Sequence, residues 1–328
     1  MKEIGGYFEL EIGSYKEDDP EVVKINNARN SLEIIITTNN IQKIYFPYYT
    51  CEVMLEPIIR NRVDIEYYNI DQNFYPVFEF RELEEDSLFL YTNYFGICES
   101  NVNRILQEQK KFKFQLAIDN AQAFYSKVPN YERVYGFNSV RKFFGVPDGS
   151  FLYGMKSSRF INELEFEDST RLVSHLVGRI NKNANEYYSE FSTNDAIHSN
   201  LNVAKMSKIT SIILGNLDFK EIRDKRNSNF IFLNEHLSII NLLKLDTSNV
   251  NGPLSYPLLL SNGSELREYL INNKVYIPKY WNNKKIISNG RVEKEFKDNI
   301  VSLPIDQRYS SKEMTHVIKL IQEYFQNK

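Results

Sequence analysis

Residues Val134 to Gly154, VYGFNSVRKFFGVPDGSFLYG, predict a β-strand, a loop that carries a lysine, and a return into a second strand. Asp148-Gly149 provides the tight turn before the second strand, because glycine adopts backbone conformations that other residues avoid. Lys142 lies in the loop, and two interpretations of it stay open. It is either an ordinary solvated surface lysine, or a lysine of depressed pKa, in a partly desolvated pocket, that forms a Schiff base with a carbonyl compound.

Short runs of β-branched and aromatic residues precede this stretch and predict strands, at 43–49, 63–70, 87–95, 114–121 and 132–138. Segments with apolar residues at helical spacing alternate with them, at 27–40, 51–62 and 99–111. Because strands that alternate with helices form parallel sheets, the sequence predicts an α/β fold with a mostly parallel sheet.

The pattern changes after residue 155. Long helical segments are predicted at 157–192 and 202–240, and a strand (255–260), a helix (264–273) and a further strand, VYIPKYW (275–281), follow. The chain closes on a helix. We therefore expect a smaller C-terminal α+β region after the sheet.

The composition excludes several classes of protein. The formal net charge of −3 among 328 residues gives no basic surplus for nucleic acid. No leader-like segment or membrane-length apolar run is present, so we expect a cytoplasmic protein without a membrane partner. The two cysteines and four isolated histidines predict neither a disulfide framework nor a metal site.

Candidate site residues follow the predicted strands, since ligands of open α/β sheets bind beyond the carboxyl ends of the strands. Asp119 follows an apolar run and Gln122 lies three residues on. Asp119 is either a helix cap or a carboxylate that faces a cationic ring nitrogen. Tyr94 and Phe95 end another strand, as core residues or as a platform for a flat ring.

The first turn of the helix at 27–40 carries Arg29 and Asn30. The backbone N–H groups and the positive dipole end of a helix favour an anion such as phosphate at this position.

The order of these segments resembles the DegT/DnrJ/StrS-type sugar aminotransferases, which are pyridoxal-phosphate enzymes of fold type I. The landmarks are IGGYFELE, NNARNSLEIII, KIYFPYYTCEVMLEPI, LYTNYFGI, AIDNAQAF, SVRKFFGVPDGSFLYG and the closing YPLLL, VYIPKYW and VSLPIDQRYSSKEMTHVIKLI. They extend over more than 300 of the 328 residues. The resemblance implies a seven-stranded, mostly parallel sheet in a large domain at 1–210 and a small α+β domain at 211–328.

The resemblance also implies roles for the candidate residues. Lys142 matches the lysine that forms the Schiff base, Asp119 the carboxylate paired with the pyridinium nitrogen, and Gln122 the neighbour of the ring hydroxyl. Phe95, or Tyr94 beside it, falls where the family stacks an aromatic side chain on the cofactor ring.

The phosphate site departs from the family pattern. Phe137 stands where most members have a phosphate-binding serine, five residues before the lysine, and Ser139 lies three residues before it. Two alternatives stay open: Ser139 takes the role, or the phosphate is bound by Arg29 and its neighbours, including Asn30.

The implied activity is transfer of an amino group from an amino acid such as glutamate to a nucleotide-linked keto sugar in glycan synthesis. A homodimer is also implied. Lys142 favours transamination, because members that dehydrate sugars carry histidine there. The alternatives are a non-catalytic binding or scaffold protein without the cofactor, and a pyridoxal-phosphate enzyme with another reaction or a non-sugar substrate.

Overall fold

A computed structural model describes residues 10, 12–13, 22–155, 159–183, 185–281 and 290–327. The sequence landmark at 4–11 lies outside the described residues, apart from Leu10.

An eight-stranded sheet forms the centre of the molecule, in the order β1-β8-β7-β6-β5-β2-β3-β4. The five strands from β7 to β3 are parallel, whereas β1, β8 and β4 pair antiparallel with their neighbours. The mostly parallel α/β sheet is therefore confirmed. The sheet has eight strands instead of the expected seven, and one of its edges is the two-residue strand β4. The strands are β1 Val23–Ile25, β2 Lys43–Pro47, β3 Asp64–Ile70, β4 Pro76–Val77, β5 Ser87–Thr92, β6 Gln115–Asn120, β7 Val134–Asn138 and β8 Ser150–Tyr153.

Helices cover both faces of this sheet. Every residue of β5 and β6 is buried, as expected for central strands of a parallel sheet. Consecutive residues of β5 point to opposite faces: Leu88 belongs to the core beneath helices α1 (Ala28–Thr38) and α2 (Leu55–Arg60). Phe89 belongs to the core beneath α3 (Glu99–Phe112).

The lysine loop folds as the sequence predicts. β7 is followed by a single 3-10 turn, Val140–Lys142, and the chain returns in β8. Gly149 has φ +119, and a Cβ there would lie 2.5 Å from Val140 Cγ2. Its amide donates to the carbonyl of Asn26, 2.6 Å away, which holds the turn against the start of α1.

The two long helices predicted after residue 155 are wrong, because the described chain is divided into shorter ones. New helices begin at side-chain caps: Ser207 accepts a hydrogen bond from the amide of Thr210, and Asp218 from that of Glu221. The helices are α4 Arg159–Glu163, α5 Ser174–Asn181, α6 Tyr188–Ile197, α7 Lys208–Gly215 and α8 Phe219–Leu237.

The C-terminal region contains a two-stranded antiparallel sheet of β9 (Ser255–Leu259) and β10 (Ile300–Pro304). Its helices are α9 Gly263–Asn272, α10 Arg291–Asn299 and α11 Ser311–Gln326. The strand predicted at 275–281 is wrong, since this segment pairs with no described strand. Pro278 in its middle has no N–H to donate. The domain boundary at 210 and 211 stays a prediction, and α7 spans it.

Among the described residues, none of the helices combines the length and the apolar character needed to cross a membrane.

Candidate active site

Asp119 and Lys142 lie at the same edge of the sheet, where parallel strands end. Asp119 is the fifth residue of β6 and pairs in register with Thr92 of β5 and Phe137 of β7. Lys142 ends the turn that directly follows β7. The structure therefore brings the two side chains together, as the sequence predicts for residues beyond strand ends.

The Asp119 carboxyl is buried and lies within electrostatic reach of Lys142. Burial raises its pKa above the ordinary value, whereas the charge of Lys142 and the Ala121 amide lower it. The Ala121 N–H donates to Asp119 Oδ1 over 2.8 Å. This hydrogen bond closes a turn, and no helix of the described chain begins between β6 and β7, so the helix-cap interpretation of Asp119 is wrong.

Lys142 is exposed in the single chain. Its amide donates to the carbonyl of Ser139 over 3.3 Å, which closes the turn. The described residues do not bury the Lys142 side chain, so they do not form the partly desolvated pocket that the sequence analysis considered. Phe143, the next residue, is buried.

Gln122 is 1% exposed and has one unpaired end. Its Oε1 accepts from the Phe95 amide over 2.9 Å, whereas Nε2 has no hydrogen-bond partner among the described residues. An unpaired buried donor costs about 1–3 kcal/mol. This amide nitrogen is therefore suited to an acceptor oxygen of a bound molecule.

Tyr94 and Phe95 are fully buried and belong to the core. The ring centroid of Phe95 lies 5.0 Å from that of Trp281 and 5.9 Å from that of Phe74, both in edge-to-face contacts. Phe95 also has φ +55, which is uncommon for a bulky residue. Because no ring face of Phe95 is open to solvent, a flat ligand could stack on it only after Trp281 or another neighbour moves. The stacking role stays a prediction.

Arg29 and Asn30 both have protein partners. Arg29 Nη1 pairs with Glu56 Oε2 over 2.8 Å and donates to Ser199 Oγ over 2.9 Å. The Asn30 side chain donates to Asn26 Oδ1 and to backbone carbonyls.

The unpaired donor at the start of α1 is the side-chain nitrogen of Asn27. Its other end, Oδ1, caps the helix by accepting from the Asn30 amide over 2.9 Å. Ser139 directly precedes Val140–Lys142, the lysine turn, and is half-buried.

His198 and Arg141 lie near Arg29, and neither was among the predicted site residues. Arg141 pairs with Asp195 over 2.9 Å. His198 is 2% exposed, and neither ring nitrogen has a well-placed hydrogen-bond partner among the described residues. Burial, assisted by the charges of Arg141 and Arg29, lowers its pKa to about 3. Position 198 carried no signal in the sequence, because its partners are remote along the chain.

A cleft of about 800 Å³ lies between the residues that follow β5 and the C-terminal region. Its lining is polar and includes Glu99, Lys127, Arg223 and Asp246. None of the predicted site residues lines it. Within the described part of the chain, no cluster of three or more histidine, cysteine or acidic side chains is arranged to hold a metal ion.

The structure is similar to those of solved DegT/DnrJ/EryC1/StrS aminotransferases. One from Brucella abortus matches with a TM-score of 0.66 and 15% identity, over 92% of this chain and 85% of that chain. A sugar aminotransferase from Micromonospora echinospora matches at 0.65 and 14% identity, over 93% and 87%. A putative sugar aminotransferase from Streptococcus pneumoniae, in its PLP form, matches at 0.65 and 14%, over 92% and 86%.

No protein-family model matches the sequence, and no curated protein matches it. The structural likeness nevertheless extends over almost the whole chain. The chain therefore has the fold of these aminotransferases, and the resemblance stated from the sequence is confirmed for the fold.

Proposed function

We propose that the protein is a pyridoxal-phosphate-dependent aminotransferase that transfers the amino group of an amino acid to a keto sugar. The observation that carries this proposal is the buried Asp119 near the end of β6, which interacts electrostatically with Lys142 in the turn after β7. A buried carboxylate and a primary amine at one sheet edge are the two groups that the cofactor's ring nitrogen and aldehyde require.

The residues present fit this cofactor. Asp119 is a buried acceptor for the ring N–H, Lys142 is an accessible amine for the aldehyde, and Gln122 Nε2 is an unpaired donor for the ring hydroxyl. Asp119 and Gln122 lie at the end of β6, and Lys142 follows the adjacent strand β7, so one sheet edge carries all three.

For the phosphate, we propose the start of α1 together with the lysine turn. The unpaired Asn27 side-chain nitrogen and the hydroxyl of Ser139 would be the donors, and Arg29, which is paired with Glu56, would add positive charge. Asn30 contributes through its place in the first helical turn, because its amide donates to Asn27 Oδ1 and its side-chain nitrogen donates to Asn26 and residues 201–202. Helix N-termini favour anions at this position.

When bound, pyridoxal phosphate withdraws electrons from the carbon that bears the amino group. Asp119 keeps the ring nitrogen protonated, because an adjacent carboxylate stabilises the cationic form. Lys142 Nζ would be the group that moves the proton between the two carbon atoms concerned. Its exposed position leaves this side chain free to rotate between the two atoms.

The finer assignments are part of the same proposal. The acceptor is a nucleotide-linked keto sugar, the donor is glutamate, and the product enters surface polysaccharide or a related glycan. The protein works in the cytoplasm as a homodimer. A partner subunit placed over the lysine turn would cover Lys142, which is exposed in one chain.

The second candidate is a non-catalytic relative that uses the fold for binding. It is favoured by the closed packing of Tyr94 and Phe95, which leaves no ring face for stacking. It predicts that the protein takes up no cofactor. A pyridoxal-phosphate enzyme with another reaction, such as a lyase, predicts uptake without half-transamination by glutamate.

The test is covalent attachment of pyridoxal phosphate, with Lys142→Ala and the matched control Lys127→Ala, another exposed lysine. We expect the wild type and the control to acquire a visible absorption band that borohydride reduces. Peptide mass spectrometry should place the reduced adduct on Lys142, and the Lys142→Ala protein should show neither band nor adduct. Absence of the band from the wild type would reject the aminotransferase and favour the binding protein.

A further inference from the structure

Arg226 on α8 is an arginine buried without an acidic partner. It is 1% exposed and forms no ion pair with the described residues, although the charge of Asp306 acts on it from a longer distance. Burial lowers its pKa to about 10. A buried charge is costly unless hydrogen bonds satisfy it, so the groups that Arg226 contacts indicate why this position carries a cation.

The guanidinium joins three separate segments of the chain. Nη1 donates to the carbonyls of Pro253 and Leu254 at 3.1 and 3.3 Å, just before β9. Nη2 donates to the carbonyl of Phe143 at 3.4 Å. Its carbon lies 4.6 Å from the centroid of the Phe143 ring. One planar cation therefore connects α8, the approach to β9 and the lysine turn.

Gln307, which follows β10, completes the arrangement. Its Oε1 accepts from Arg226 Nε over 3.1 Å, and its Nε2 donates to the same Phe143 carbonyl over 2.7 Å. Two donors thus converge on one carbonyl oxygen, and each of them is oriented by the other. Phe143 directly follows Lys142 in the chain.

We propose that Arg226 and Gln307 are positioning residues for Lys142, an inference that rests on the proposed function. Their hydrogen bonds hold the peptide between Phe143 and Phe144, one residue beyond Lys142, and so restrain the backbone from which the lysine side chain reaches toward Asp119. A lysine side chain has free rotation about four bonds, so its backbone must be held for the amine to return to one place. This backbone is held from the C-terminal region.

The test separates positioning from stability with Gln307→Glu. The glutamate still accepts from Arg226, now as an ion pair, but it has no hydrogen to donate to the Phe143 carbonyl. A carboxylate oxygen then faces the Phe143 carbonyl in place of the donor, so we expect some loss of thermal stability and express the rate per folded molecule. We expect the rate of borohydride-trapped attachment of pyridoxal phosphate to Lys142 to fall at least fivefold.

Arg223→Met is the matched control on the same helix, because the Arg223 side chain is partly exposed and does not contact Phe143. It should attach the cofactor at the wild-type rate. Arg226→Met should lower the rate of cofactor attachment as Gln307→Glu does. This rate is expressed per folded molecule, so that a loss of stability does not affect it.

The outcomes are distinct. If the wild type attaches the cofactor and both Gln307→Glu and Arg226→Met do so at the wild-type rate per folded molecule, the positioning role is wrong. The proposed function is then unaffected. No attachment in the wild type overturns both.

Discussion

The buried imidazole of His198 should make the protein less stable in mild acid. Its pKa is about 3 in the folded chain against an ordinary 6.5, so between these values the unfolded chain binds a proton that the folded chain does not. Stability contributed by such a group is present above pH 6.5 and is lost as pH falls toward 3.

The magnitude follows from the pKa difference. Each pH unit below 6.5 removes about 1.4 kcal/mol until the folded pKa is reached, so His198 accounts for a loss of roughly 2 kcal/mol between pH 7 and pH 5. The side chain is 2% exposed, which justifies the full conversion. Arg141 and Arg29 contribute to the low pKa, and Asp195 opposes it.

The assay is urea unfolding of the wild type, His198→Leu and His316→Leu at pH 7 and pH 5. His198→Leu removes the titrating group, so its loss of unfolding free energy between the two pH values should be smaller than that of the wild type by about 2 kcal/mol. His316→Leu is the matched control because its imidazole is exposed and should behave as the wild type does. Equal losses in His198→Leu and the wild type would refute the reasoning.

Three further changes have defined outcomes. Gly263→Ala should lower the free energy of unfolding by more than about 2 kcal/mol, because the added Cβ would clash with the carbonyl oxygen of Asn299. Urea unfolding measures this, and Gly145→Ala is the control, since a Cβ at Gly145 meets no atom within 4 Å. Ser310→Ala removes the capping box of α11 and should cost about 1 kcal/mol; an unchanged midpoint would contradict this. Asp119→Asn should keep covalent cofactor attachment but slow half-transamination by glutamate at least about tenfold, and an undiminished single-turnover rate would exclude the proposed role of the carboxylate.

The sheet could be predicted because its central strands are buried on both faces. β5 and β6 form runs without polar interruption in their interiors, and each ends in a loop that carries polar residues. The short strand β1 was not predicted, since its three residues become recognisable only through pairing with β8. Local sequence therefore predicts long buried strands such as β5 and β6 better than a short strand such as β1, which is recognised only from its pairing partner.

The errors after residue 155 have local causes. The predicted helix at 202–240 contains Ser207 and Asp218, which accept hydrogen bonds from backbone amides and start new helices. The apolar periodicity of the segment gave no sign of these breaks. The segment 275–281 has the aromatic and β-branched composition of a strand but lies against the aromatic core, where Trp281 contacts Tyr49, Tyr94 and Phe95.

Asp119 and Lys142 were placed together from the rule that parallel strands end at one edge. The contacts of Phe143 with Arg226 and Gln307 span 83 and 164 residues and follow no local pattern. The carboxylate and the amine could be predicted from sequence because the sheet alone brings them together. The groups that hold the lysine turn could not, since they depend on how the C-terminal region packs against it.

The exposed side chain of Lys142 and the buried ring of Phe143 are two parts of one arrangement. Hydrogen bonds to the Phe143 carbonyl restrain the peptide but do not touch the lysine side chain, so the backbone is fixed while the amine rotates freely. A lysine that accepts a proton at one atom and delivers it to another needs a mobile side chain, because the amine must move between the two atoms. It also needs a restrained backbone, because the amine must come back to the same place. Under this proposal the rigidity lies in the residue after the lysine, and the C-terminal region would act on the reaction without contacting the cofactor.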